Sequence, residues 1–146
     1  MIRTATLYIL FLTGLFFGCT EKDSNGGKKY YRAINQKDTA LLSITIYKNR
    51  FYGEYEMIYG KRGKDSGAVR GQIYGDTLKG EYQYLSYGGS KSIAPIILLK
   101  RDGKFRLGRG LKATYMGIPF YVKEVPVDYE TGFIFDEISK PLERQP

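Results

Sequence analysis

The stretch Val69 to Tyr84, VRGQIYGDTLKGEYQY, decides the fold. Val69, Gly71 and Ile73 alternate with Arg70, Gln72 and Tyr74, and beyond Gly75-Asp76 the residues Leu78, Gly80 and Tyr82 alternate with Lys79, Glu81 and Gln83. A period of two sends successive side chains to opposite faces of an extended strand. Gly75-Asp76 tolerates the positive φ of a two-residue turn, so the stretch reads as a β-hairpin. Both arms carry a glycine in mid-strand, and a third copy of the pattern, FYGEYE, begins at Phe51. Gly53, Gly71 and Gly80 share a face with apolar neighbours two residues away and therefore point inward. Interior glycine weakens a strand, so its recurrence points to tight bending or close backbone approach in a small closed sheet. The competing explanation is room for a ligand.

Outward from this hairpin the alternation continues. TALLSITIY (Thr39 to Tyr47) places Ala40, Leu42, Ile44 and Ile46 on one face, and FYGEYEMIY (Phe51 to Tyr59) turns Phe51, Tyr55, Met57 and Tyr59 inward. Tyr30 to Ala33 starts the first strand, and GKRGKDSG (Gly60 to Gly67) reads as a charged loop. SIAPIILLKR (Ser92 to Arg101) is a strand whose Pro95 argues for an edge position or a strand start, because proline cannot donate to the ladder. Asp102-Gly103 turns the chain into KFRLGRG, and after Leu111 only PFYVKEV and GFIFDEI keep strand character. The expectation is an all-β, antiparallel meander of about eight strands that forms a small barrel or strongly curved, lipocalin-like sheet.

Ahead of this body the chain carries the three-part layout of an export signal: Arg3, an apolar run from Leu7 to Phe17, and the small residue Gly18 before Cys19. The run falls short of the roughly 20 residues that cross a membrane as a helix. Lipoprotein peptidases cut directly before a cysteine bearing diacylglycerol, so Gly18 and Cys19 mark the cleavage site and Cys19 the acylated residue. Phe16 and Phe17 depart from the usual leucine and small residue. Cys19 is the only cysteine, and acylation removes an otherwise unpaired exported thiol. The expected organisation is a signal over residues 1–18, a flexible tether over 19–29, one β-domain over 30–139 and a disordered tail over 140–146.

Loss of Arg3 with the signal takes the formal charge from +8 to +7, and a basic body on a membrane tether is drawn to anionic headgroups or surface polysaccharide. Nucleic acid is a poor partner for an exported chain whose aromatics follow strand spacing.

With the lipobox, the linker and VRGQIYGDTLKGEYQY together, the chain resembles the uncharacterised small β-rich lipoproteins common in Bacteroidota. The resemblance covers the signal and roughly the first two thirds of the mature chain. It implies a meander of strands and an outer-membrane address, on the periplasmic face or the cell surface, and no activity. It also accommodates a phenylalanine-rich lipobox, and Glu21 and Asp23 lie where such proteins carry an acidic surface-export cue.

Histidine is absent and the one cysteine is taken by lipid, which removes Ser-His-Asp and Cys-His catalysis and leaves little for a zinc site. No phosphate-binding glycine motif or calcium loop occurs, so no cofactor or metal is expected. Glu54, Glu56 and Glu81 could serve a carboxylate-based glycan-acting enzyme, although glutamates between inward tyrosines usually form a solvated face. Fourteen tyrosines without tryptophan are a heavy aromatic load, and Tyr55, Tyr59, Tyr82 and Tyr84 fall on the inner face, where flat rings with polar tips either pack a core or line a sugar or lipid site. Lys61, Arg62 and Lys64 are loop cations able to grip an anion. The sequence thus predicts a noncatalytic, lipid-anchored envelope protein that binds a small apolar or glycan ligand or an envelope partner. The alternatives are an interaction protein with a solid core and an exposed patch around Tyr115 to Tyr121, and the carboxylate enzyme.

Overall fold

The computed structural model describes residues 26–140, so the signal, Gly18, Cys19 and the last six residues lie outside the described part. Ten strands follow in order: β1 (Gly26–Asn35), β2 (Asp38–Tyr47), β3 (Arg50–Ile58), β4 (Lys64–Tyr74), β5 (Thr77–Leu85), β6 (Lys91–Arg101), β7 (Lys104–Leu107), β8 (Lys112–Tyr115), β9 (Ile118–Tyr121) and β10 (Ile134–Ile138). Eight of them close an antiparallel barrel in the order β1-β10-β7-β6-β5-β4-β3-β2, and β8 and β9 form a separate hairpin inserted between β7 and β10. Closure removes the sheet edges that an open meander would expose.

Tight turns set the register. Tyr74 pairs with Thr77 around Gly75, whose φ is +58°, and Arg101 pairs with Lys104 around Asp102 and Gly103, both at positive φ. These are the two hairpins that the glycine dipeptides announce.

Inward residues fill the barrel with side chains. Phe51, Val69, Leu98, Phe105 and Phe135 are its largest fully buried members. Tyr31 meets Phe105 edge to face at 4.9 Å, and Tyr55 meets Phe135 at 6.3 Å. Such contacts add about 0.5–1.5 kcal/mol each beyond the area they bury.

The inward glycines serve close approach. Gly71 pairs directly with Gly80, and an added Cβ at Gly80 would lie 2.0 Å from the Arg70 carbonyl oxygen. At Gly53 the added atom would lie 1.8 Å from the Ser43 carbonyl oxygen. These obstacles are neighbouring backbone, so the glycines permit curvature and make no cavity.

Strand boundaries differ from the sequence expectation in several places: β9 ends at Tyr121 where PFYVKEV would run to Val125, and the starts of β1 and β4 move toward the N-terminus. β1 begins at Gly26, four residues before Tyr30, because the edge of β2 offers backbone partners and Lys28 and Lys29 pair outside with Glu54 and Glu137. β4 begins at Lys64, so the charged loop ends at Gly63, and Lys64 pairs with Glu56 at 2.8 Å. Pro95 lies in the half of β6 that pairs with β5 alone, since β7 engages only Leu98 to Arg101, so the strand is locally an edge at the proline.

The barrel has two distinct ends. One holds the β2-β3, β4-β5 and β6-β7 turns and the start of β1; the other holds the β1-β2 turn, the longer β3-β4 and β5-β6 loops and the β8-β9 excursion.

Candidate functional site

At the second end the packed core gives way to a cup of about 390 Å³, within the range of small-molecule sites. Alternation on β3 delivers Tyr55 and Met57, and Tyr59 follows just past its end. β5 delivers Tyr82 and Tyr84, β6 delivers Ala94, Pro95 and Ile96, and β8 and β9 contribute Lys112 and Tyr121. The four tyrosines singled out from the sequence therefore line one cavity. Gly67 pairs with both Tyr55 and Tyr84 in the ladder, and an added Cβ there would lie 2.0 Å from the Gln83 carbonyl oxygen, so it too serves close approach of the strands.

The rings are ordered against one another. Tyr82 and Tyr84 stack at 4.4 Å with planes 9° apart, and Tyr55 meets Tyr82 edge to face at 4.9 Å. Tyr59 donates its hydroxyl hydrogen bond to Asp65 at 2.7 Å, and the other Asp65 oxygen accepts from the Tyr87 amide at 2.9 Å. Tyr121 donates to the Gly108 carbonyl at 3.2 Å. The hydroxyls of Tyr55 and Tyr82 are buried and, among the described residues, have no hydrogen-bond partner. A buried hydroxyl left unpaired costs about 1–3 kcal/mol, so two together are an unusual expense for a domain of this size.

Burial dominates the ionisation of the lining. It raises the phenols of Tyr55, Tyr59 and Tyr82, with added contributions from neighbouring phenols and Asp65, and pushes Tyr121 up to about 12. The tyrosines consequently remain neutral donors throughout the physiological range.

The cup's cations and carboxylate are asymmetric. Asp65 has both oxygens occupied, and Arg109 lies against Asp128 through a backbone bridge. Among the described residues no carboxylate pairs with Lys112, whose ammonium lies 5.7 Å from the Tyr121 ring centre. Desolvation lowers the pKa of Lys112, in keeping with a cation that lacks a counter-charge.

Glu54, Glu56 and Glu81 stand elsewhere. They occupy the outer wall, where they pair with Lys28 at 3.0 Å, Lys64 at 2.8 Å and Arg70 at 2.6 Å. Glu54 and Glu56, side by side on one strand, border a second cavity of about 500 Å³ that also reaches Tyr30, Leu41 and Ser43. Lys61 and Arg62 lie exposed in the β3-β4 turn, away from the cup lining.

Sequence reasoning missed Asp65, Arg109, Lys112 and Tyr121. Asp65 continues the inward alternation of Gly67 and Val69. The β8-β9 hairpin was signalled only by Met116-Gly117, whose φ values are +49° and +79°. Lys112 pairs with Tyr121 and Thr114 with Pro119, while Ala113, Phe120, Tyr115 and Ile118 form the opposite face. That outer face is apolar and open: Tyr115 is 70% exposed, Ile118 67%, and Met116 at the tip 84%.

No protein family, no curated protein and no solved structure matches the chain.

Proposed function

We propose that this protein is a lipid-anchored, outer-membrane envelope protein whose barrel is a noncatalytic binding module, holding a small ligand with an apolar or sugar face in the tyrosine cup. The observation that carries the binding half is the pair of buried hydroxyls of Tyr55 and Tyr82, unpartnered among the described residues, on rings that pack edge to face next to the Tyr82–Tyr84 stack. Stacked rings suit a flat apolar or sugar surface, and the free hydroxyls offer hydrogen bonds that only a bound molecule or solvent can take up. The anchor half rests on Gly18 and Cys19, the signal ahead of them and the resemblance to small Bacteroidota lipoproteins. β1 starts at the end of the barrel opposite the cup, so a tether from Cys19 would join the barrel away from the cup mouth and leave it unobstructed.

Mass spectrometry of the protein taken from its own envelope tests both halves. The mature chain is expected to begin at Cys19 and to carry acyl mass. Kept native, it is expected to retain a small molecule that Ala94→Phe excludes, because Ala94 lines the cup and a phenyl ring there would fill it. Cleavage at another bond, or an unacylated Cys19, contradicts the anchor, and equal native mass increments for the parent and Ala94→Phe contradict the cup.

A second reading, docking of an envelope protein, is favoured by the open apolar face of the β8-β9 hairpin. Both roles fit one molecule, since the hairpin's inner face belongs to the cup.

A further inference from the structure

We infer that the ligand of the cup is acidic: an anionic group, such as a carboxylate, is held at Lys112 while the apolar or sugar body of the same molecule lies against Tyr82 and Tyr84. The inference rests on the cup being a binding site and adds the charge of what it binds.

The polar groups of the lining are not equivalent. Asp65 is satisfied by Tyr59 and the Tyr87 amide, and the Tyr121 hydroxyl by Gly108. Arg109 is joined to Asp128 by backbone bonds alone, and among the described residues its guanidinium forms no ion pair. What remains are two cations, on Lys112 and Arg109, and two phenols, on Tyr55 and Tyr82. All four groups can donate hydrogen bonds, and the two phenols can also accept. A site whose uncommitted groups are two cations and two phenols able to donate complements an anion carrying further acceptor oxygens.

Position supports the same conclusion. Lys112 is held on β8 opposite Tyr121, so its ammonium stands at the rim over an aromatic wall, while the stacked pair Tyr82 and Tyr84 lies on β5. Asp65 sits on β4, where it accepts from the hydroxyl of Tyr59, and it forms no ion pair with Lys112. An elongated molecule with one charged end and a flat body satisfies both regions at once. Fatty acids and acidic sugars share that chemistry.

The test uses the unacylated mature chain, made with Cys19→Ser, and two fluorescent probes that differ chiefly in charge: anilinonaphthalene sulfonate and neutral N-phenyl-1-naphthylamine. The sulfonate is expected to bind about tenfold more tightly, the equivalent of one charge-assisted contact. Lys112→Gln is expected to abolish that preference by bringing the sulfonate down to the affinity of the neutral probe, whose continued binding shows that the variant is folded. Equal affinity of the two probes, or a preference that survives Lys112→Gln, overturns the acidic ligand while leaving the cup intact. Binding of neither probe overturns both. Displacement of the sulfonate by laurate identifies a lipid source and displacement by an oligogalacturonate identifies an acidic glycan; displacement by neither overturns the inference.

Discussion

Replacing Phe135 by alanine is expected to cost about 3–5 kcal/mol of folding stability, the usual loss for a fully buried aromatic. Phe135 is 0% exposed and lies on β10, the five-residue strand that joins β7 to β1 and closes the barrel. It pairs with Phe105 and meets Tyr55 edge to face, so its loss opens a void where the closing strand depends most on side-chain contact. A small domain has only about 5–15 kcal/mol in all, which makes this a large share. Urea unfolding measures it as a lower midpoint at unchanged slope. A loss under about 1 kcal/mol would mean that backbone pairing alone closes the barrel.

Gly80→Ala and Gly53→Ala are expected to be nearly as harmful, at about 3 kcal/mol each, although each adds only one methyl group. In both, the new carbon would fall within 2.0 Å of a carbonyl oxygen on the adjacent strand, and a strand cannot move aside as a flexible side chain can. Phe51 presses from the inner side onto neighbouring Gly71, which leaves little slack. Gly27→Ala is the control, because nothing lies within 4 Å of its added carbon, and its effect is expected within about 0.5 kcal/mol. Calorimetric melting of the three variants distinguishes curvature from cavity. If the glycines served only to make room for a ligand, Gly80→Ala and Gly53→Ala would melt like the parent.

The strands were legible because alternation is a local signal that burial on one face enforces. Val69 to Tyr84 folds into the hairpin read from its period and its Gly75-Asp76 turn. The inner positions of Phe51, Tyr55 and Tyr82 follow from the same alternation, which is why four cup tyrosines could be named in advance. The rest depends on contacts far apart in sequence. β8 and β9 have four residues each, too few for periodicity, and they acquire an inner face only by packing against the barrel through β6. Lys112 looked like any surface cation until that hairpin folded over Tyr121. The Gly60 to Gly67 segment misled in the opposite direction: its charges suggested loop, but Lys64 and Asp65 find partners in Glu56 and Tyr59 that fix them as strand.

The most direct test of the tyrosine cup is equilibrium unfolding of the Tyr55→Phe, Tyr82→Phe variant without ligand. If the hydroxyls serve binding, removing them relieves two unpartnered buried groups, and stability stays level or rises by about 1 kcal/mol per site. If stability instead falls by about 1 kcal/mol or more, the hydroxyls support the fold and the proposed cup loses the observation that carries it.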